Sequence, residues 1–188
     1  EARVYCEILP YHVHWDEIER RKPQGIILSG GPESVFTENS PRPDPKIYDY
    51  GKPLLGICYG MQLLAHHFGG RVIPSDQREY GRAPIKRTKT SPLFEDLPKQ
   101  MEVWMSHGDR IEEVPKEFDP IACSQHSVAA MKHKKKQIYG LQFHPEVAHT
   151  PKGKEILEKF LFEICGCCGN WTMESFVEEK TQAISEKI

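Results

Sequence analysis

The sequence predicts an α/β fold: a three-layer α/β/α arrangement around a mostly parallel central sheet, with a small antiparallel strand region beside it. Three observations predict it. Two short apolar runs, Gly25 to Leu28 and Leu54 to Cys58, are continuous rather than alternating, as in parallel strands covered on both faces. The second passes at once into the helical pattern Met61, Leu63, Leu64, Ala65, Phe68 with a Gly69-Gly70 stop, so strand and helix alternate as in right-handed parallel crossovers. From Arg71 onward the pattern shortens into small strands separated by turns.

Taken in order, Val4 to Leu9 is the first expected strand. Asp16 precedes a helix-favouring run, Glu17 to Arg21, that Pro23 ends. The Gly25 to Leu28 strand closes on Ser29-Gly30-Gly31-Pro32, a tight-turn composition. A Pro-rich connection (Pro41, Pro43, Pro45) leads into a short helix around Lys46 to Tyr50, which Gly51 and Pro53 stop. Strands follow at Val72-Ile73, Met101 to Met105, Pro120 to Cys123, Ser127 to Met131 and Gln137 to Phe143. The basic run Lys132 to Lys136 reads as a solvated hairpin tip between two of these strands, with a phosphate-binding patch as the competing reading. Thr150 is the expected N-cap of a last helix with Pro151 at its first position, and Ile156, Leu157, Phe160, Leu161 and Ile164 share the face that docks on the sheet. Gly166 to Gly169 break it, and the charged stretch from Trp171 to Ile188 reads as a linker or the start of a further domain.

The 188 residues suffice for one ordinary domain with a sizeable core. No apolar run approaches the ~20 residues needed to cross a bilayer, so a membrane-spanning role is excluded. Lys+Arg 25 against Asp+Glu 27 leaves a net charge of -2, with no basic surplus for gripping phosphate backbones, so neither nucleic acid nor membrane is expected as a partner. The six cysteines (Cys6, Cys58, Cys123, Cys165, Cys167, Cys168) lack the spacing of a disulfide scaffold and no signal peptide precedes them, which points to the reducing cytoplasm. The sequence opens on Glu1 rather than Met and reads as a piece of a longer polypeptide.

The sharpest local feature is Gly56-Ile57-Cys58-Tyr59-Gly60. A buried strand ends, one nucleophilic side chain is presented, and a helix begins; glycines two positions either side relieve the crowding of such a nucleophile elbow. Cys58 would then stand at the positive end of the following helix, where thiolate is favoured; a buried, inert cysteine is the alternative. Phe143-His144-Pro145-Glu146 supplies a partner. Positions i and i+2 of an extended chain point the same way, so Glu146 can orient and charge-stabilise His144, although His-Pro-Glu by itself also suits a surface turn. With Cys58 it completes a Cys-His-Glu set. Acyl transfer also needs donors for the developing oxyanion, and the N–H groups of Gly31 and Tyr59 are the candidates, against a plain turn at Ser29 to Pro32. His12 and His14 lack a third metal ligand, His66 and His67 read as partly exposed packing residues, and Cys165-Gly166-Cys167-Cys168 lacks paired CxxC spacing, so no metal site is expected.

These segments resemble the class I glutamine amidotransferases, and within them the glutaminase portion of the GMP synthases. The resemblance runs through Ile27 to Ser34, Gly56 to Gln62, Arg78-Glu79-Tyr80-Gly81, Val103 to Asp109, Tyr139 to Val147 and Trp171 to Ser175. The elbow and the His-Pro-Glu segment are general to the class; Trp104-Met105-Ser106-His107-Gly108-Asp109 and Arg78 to Gly81 resemble the GMP synthases more specifically. The resemblance implies a flavodoxin-like sheet, a nucleophilic Cys58 acting on the side-chain amide of L-glutamine, His144 as proton carrier and Glu146 as its support. It also implies an oxyanion hole at Gly31 and Tyr59, and glutamine binding by Gln62 and by the backbone at Ser106, Gly108 and Asp109. No cofactor is implied for this domain. Its implied partner is an ATP-pyrophosphatase domain of the same enzyme, which uses ATP and Mg2+ to turn XMP into GMP with the ammonia released here, the full enzyme being a homodimer as one option. The phosphate loop of such a domain does not occur in these residues. The family's first strand and helix are also missing, so residues 1–169 are expected to be a glutaminase domain without that pair, and 170–188 the linker toward the synthetase. Alternatives are an amidotransferase serving CTP or anthranilate synthesis, a catalytically silent docking module, or a cysteine hydrolase acting on peptides or small amides.

Overall fold

The computed structural model describes residues 2–173 and 177, with backbone only at 75–78. Seven strands form one sheet: β1 (Ile26–Leu28), β2 (Leu54–Ile57), β3 (Arg71–Arg87), β4 (Gln100–Glu113), β5 (Phe118–Cys123), β6 (Val128–His133) and β7 (Ile138–Leu141), in the spatial order β1-β2-β7-β6-β5-β3-β4. The α-helices bounded within the described residues are α1 (Trp15–Arg21), α2 (Tyr59–His67) and α3 (Gly153–Glu158), the last continuing as a wider π-helical turn over Lys159–Ile164, and short 3₁₀ turns cover Pro45–Asp49 and Pro92–Phe94.

The α/β class holds, but the sheet is mixed. Only β1, β2 and β7 are mutually parallel; β7-β6, β6-β5, β5-β3 and β3-β4 are antiparallel, so a mostly parallel sheet describes one half only. The reason lies in the connections. Long crossovers, one of them carrying α2, join the parallel strands, whereas hairpins join β3 to β4, β5 to β6 and β6 to β7, and a hairpin reverses direction. The continuous apolar runs at β1 and β2 mark the parallel half, where alternate residues enter opposite cores: Leu54 and Ile138 pack with Trp15, Ile18, Met61 and Leu64 on one face, and Leu55 and Tyr139 with Ile156, Phe160 and Ile164 on the other. That division gives the three layers.

Several expectations change. Residues 4–9 form no strand: no described strand pairs with them and Ile8 is 97% exposed, so an apolar run without a ladder partner stays irregular. The strands expected at Val72-Ile73 and Met101 to Met105 are the ends of a much longer hairpin, because its polar middle is held by backbone bonds that do not depend on side-chain type. That hairpin slips register between Pro74/Glu79, the irregularity that commonly re-aims strands beside active sites. Thr150 is not the N-cap of the last helix; Lys152 occupies that position, and the Thr150 hydroxyl is engaged elsewhere. The docking face of that helix is as expected, with Ile156, Phe160 and Ile164 buried at four-residue spacing and Leu157 and Leu161 packed against the same core.

The basic run 132–136 does turn between β6 and β7. His133 is buried and accepts the Lys135 and Lys136 N–H groups at 3.0 and 2.9 Å, which shapes the tip, while Lys134 to Lys136 face solvent. Most of the tail 171–188, including Glu174 and Ser175 of the resembling segment, lies outside the described residues.

Candidate active site

All four residues of β2 are buried, and the chain then turns abruptly into α2 through Cys58 at φ 51 and ψ -106. An L residue with positive φ costs about 1–3 kcal/mol and persists only when its surroundings hold it. Here the Cys58 N–H donates to Leu141 O at 2.7 Å, and the Cys58 carbonyl accepts the Gln62 N–H at 3.1 Å. The flanking glycines are required by close approach. A Cβ on Gly56 would lie 2.5 Å from the Gly60 carbonyl carbon, and one on Gly60 would lie 2.3 Å from Leu28 O. The first turn of α2 is thereby pressed onto β1 and β2, which aims Cys58 off the carboxyl edge of the parallel strands with the free N–H groups of the helix start beside it.

His144 follows β7, the strand paired with β2, and its N–H donates to Trp104 O at 3.0 Å. Its Nδ1 lies 2.6 Å from Glu146 Oε1. A hydrogen bond with Cys58, then the bond with Glu146, raise the His144 pKa to about 10 against the opposing effect of burial. Burial pushes the Glu146 carboxyl up, but the His144 hydrogen bond, its own backbone N–H and the charge on His144 outweigh it, so its pKa is lowered. The Ser29 to Pro32 turn lies over the pair: a Cβ on Gly30 would come 3.0 Å from His144 Cε1 and 3.5 Å from Cys58 Cβ. A Cβ on Gly31 would meet the Tyr59 ring at 3.7 Å. Gly31 and Tyr59, the two candidate oxyanion residues, are therefore neighbours.

The remaining candidates approach from the opposite side. Cys58 Sγ donates to Ser106 O at 3.7 Å, from the middle of β4. Gln62 is buried on α2 and donates Nε2 to Asp109 O at 3.1 Å. Gly108, between Ser106 and Asp109, is half-buried, and the nearest atom to a Cβ placed there would be Tyr80 Oη at 4.0 Å. Around the Cys58 turn the structure thus brings together Gly31, Tyr59, Gln62, Ser106, Asp109, His144 and Glu146, with Gly108 lying between two of them in the chain. His12 and His14 are exposed, the His14 ring making a 3.6 Å contact with Asp16; His67 stacks on Tyr48 at 3.9 Å. No group of three metal-ligating side chains occurs among the described residues. The Cys165 thiol is buried and pushed up to about 12 by that burial.

Four residues at the site received no part in it from the sequence. Gln142 is fully buried and directs its Nε2 to Cys58 Sγ at 3.8 Å. The Thr150 hydroxyl donates to His144 O at 2.6 Å while accepting the Trp104 N–H at 3.0 Å, tying the His-Pro-Glu turn to β4. Glu79 and His107 face each other across β3 and β4, Nε2 to Oε2 3.3 Å. The only signal that Gln142, Glu79 and His107 gave in the sequence was membership of the segments that carry the resemblance.

A strained cysteine between strand and helix, an imidazole beside it and a carboxylate behind the imidazole, on an α/β sheet, are the parts that cysteine-dependent acyl transfer uses. The chain belongs to the class-I glutamine amidotransferase family, whose model (Glutamine amidotransferase class-I) matches residues 1–164. Within that family it is similar to proteins named GMP synthase [glutamine-hydrolyzing]. The one from Thermomicrobium roseum is 50% identical over 189 residues, covering 100% of this chain and 36% of that protein, and the one from Aquifex aeolicus is 46% identical, covering 100% and 37%. This chain therefore spans little more than a third of the length of these relatives. Among solved structures, a candidate GMP synthase subunit from Thermoplasma acidophilum superposes with a TM-score of 0.69 at 31% identity, covering 89% of this chain and 81% of that one. A glutamine amidotransferase from Thermotoga maritima, at 21% identity and a TM-score of 0.58, shares the fold, covering 64% of this chain and 65% of that one. No helix among the described residues is long and apolar enough to cross a membrane.

Proposed function

We propose that this chain is the glutaminase portion of a GMP-synthesising enzyme, with Cys58, His144 and Glu146 as its catalytic residues. One observation carries the proposal: His144, its Nδ1 held 2.6 Å from the Glu146 carboxylate, stands beside the elbow cysteine under the Gly30 turn. The Cys58 thiolate attacks the side-chain carbonyl carbon of L-glutamine, and the N–H groups of Gly31 and Tyr59 receive the charge that develops on oxygen. His144 gives its proton to the amide nitrogen, the C–N bond breaks and ammonia leaves a glutamyl thioester. His144 then takes a proton from water, whose oxygen attacks the thioester; glutamate leaves and the thiolate is restored. Gln62 and the backbone of Ser106, Gly108 and Asp109 hold the amino-acid end of the substrate.

The ammonia serves a synthetase domain that uses ATP and Mg2+ to convert XMP to GMP. The names and lengths of the relatives support this reading, as does full coverage of this chain within them. Residues 1–169 are the glutaminase, and residues 170–188 lead toward that domain. We further place the protein in the cytoplasm.

The test is ammonia release from glutamine, measured for this chain alone and mixed with a synthetase domain, ATP and XMP. The parent is expected to release ammonia and to support GMP formation, and Cys58→Ala to lower both by about 10³-fold or more. Cys58→Ala retaining the parental rate would refute the assignment. Formation of CTP or anthranilate, rather than GMP, with the corresponding partner would reassign the branch.

A further inference from the structure

Glu79 sits where β3 resumes pairing with β4 after the register slip, opposite His107. Its carboxylate accepts the Ser124 hydroxyl at 2.8 Å and the Ser127 hydroxyl at 2.6 Å, both from the connection between β5 and β6. Its Oε2 lies 3.3 Å from His107 Nε2, off the line of an ideal hydrogen bond. The His107 side chain is 2% exposed, and its Nδ1 lies 2.9 Å from Asp109 O. A carbonyl only accepts, so Nδ1 is the donor in that bond. The same carbonyl accepts Gln62 Nε2, and the Gln62 N–H closes on Cys58 O. A polar chain thus runs from the β5–β6 connection through Glu79, across the 3.3 Å ion contact to His107, and by way of Asp109 O to Gln62, one helical turn from Cys58.

A carboxylate nearly withdrawn from water is a poor choice for stability alone, since apolar side chains of similar volume generally hold a fold as well or better. This one ends on the groups assigned to glutamine binding. We infer that Glu79 is a positioning residue for the substrate: through His107 it fixes the Asp109 carbonyl, and with it Gln62 and the 106–109 backbone, in the arrangement that receives the amino-acid end of glutamine. The inference rests on the glutaminase reading above. Glu79 touches neither Cys58 nor His144, so its effect belongs to binding rather than to the chemical step.

The test compares Glu79→Gln, close to the parent in shape but without the charge, with the parent full chain. KM for glutamine is expected to rise about tenfold with kcat within about twofold, the pattern of lost binding that ground and transition states share. Cys58 should react with iodoacetamide, which has no amino-acid end, at the parental rate, whereas a diazo-ketone analogue of glutamine should label it about tenfold more slowly. His107→Asn keeps a donor near the Nδ1 position but does not reach Glu79; combined with Glu79→Gln, it should raise KM no further than the worse single variant, as for groups acting in series. If Glu79→Gln does not fold, Ser127→Ala decides, with an expected rise in KM of about two- to threefold. A folded Glu79→Gln or Ser127→Ala protein with parental KM overturns the inference, and so does a parallel loss of kcat, both labelling rates and Tm, which marks a structural strut. If the parent neither releases ammonia nor takes the analogue at Cys58, the glutaminase reading fails and this inference falls with it. Parental ammonia release beside an unchanged KM in the variants overturns this inference alone.

Discussion

His144 Nδ1 and Glu146 Oε1 lie 2.6 Å apart, with only Pro145 between the two residues in the chain. Such a short link needs both side chains on one side of the backbone, and the turn that provides it is closed from outside. The Thr150 hydroxyl accepts from β4 and donates to the His144 carbonyl, while the His144 N–H donates to Trp104 O. The imidazole therefore reaches Cys58 already aligned, and aligned groups need no reorganisation when charge moves between them.

The first prediction concerns the charge on that ring. Cys58 and Glu146 raise the His144 pKa from 6.5 to about 10, so the proton donor is charged at neutral pH. A folded value above the ordinary one contributes stability that is complete below about 6.5 and is lost as pH rises through about 10. Histidine NMR should show the His144 ring titrating far above 6.5 in the parent, and moving down toward it in Cys58→Ala and Glu146→Gln. A parental ring that titrates at 6.5 contradicts the geometry.

Gly60→Ala should be costly. The added methyl meets a backbone carbonyl oxygen, Leu28 O, at 2.3 Å, and no rotamer change removes a clash with backbone. Overpacking of this kind costs about 1–3 kcal/mol. Urea denaturation should show a lower midpoint with unchanged slope; an unchanged midpoint would mean that α2 and β1 can separate freely.

Thr150→Val keeps the shape of the side chain but leaves the Trp104 N–H and the His144 carbonyl without this partner. A buried polar group stripped of its partner costs about 1–3 kcal/mol. The variant should lose stability and kcat for glutamine hydrolysis together, and Thr150→Ser, which retains the hydroxyl, should recover most of both. Equal behaviour of the two variants would show that the hydroxyl does not matter.

Acid should act through Glu79. Burial pushes its carboxyl up, yet His107, Ser127 and Ser124 together hold it at about 2 against an ordinary 4.5. A depressed folded value contributes stability above about 4.5 that disappears as pH falls through about 2. Circular dichroism of acid-titrated Glu79→Gln should lack the part of the parental decline that lies in this window. Superimposable acid profiles would show that the carboxylate is not held as described.

Reactivity should separate the cysteines. Cys58 faces His144, whereas the Cys165 thiol is pushed up to about 12 and is nearly all neutral at physiological pH. A diazo-ketone glutamine analogue should modify Cys58, as mass spectrometry of digested protein can show. Predominant labelling at Cys165 or Cys168 would count against the assigned nucleophile.

Much of the site is legible in the sequence. The elbow declares itself because few other compositions satisfy a strand that must end, present a side chain and start a helix within five residues. The His-Pro-Glu spacing likewise keeps its two side chains near each other, although a turn at Pro145 and Glu146, not the extended chain expected, makes the contact. Gln142, Thr150, Glu79 and His107 offered no comparable sign. Each acts through at least one partner far away in the chain, as Glu79 does with Ser127 and Thr150 with Trp104. Thr150 even carried a misleading local signal, since Thr-Pro before an amphipathic run is a good helix start until β4 claims the hydroxyl.

By itself, then, the sequence determined what neighbouring residues dictate: the parallel strands, the Cys58 turn, the His144–Glu146 link and the face on which α3 docks. Only the tertiary structure decided the mixed sheet, the long β3–β4 hairpin, the irregular start and the polar chain from Ser127 to Gln62. The physical reason is that periodicity and turn chemistry act over a few residues. Strand pairing and buried polar contacts depend on partners that folding alone brings together, and the residue types involved are equally at home in solvent.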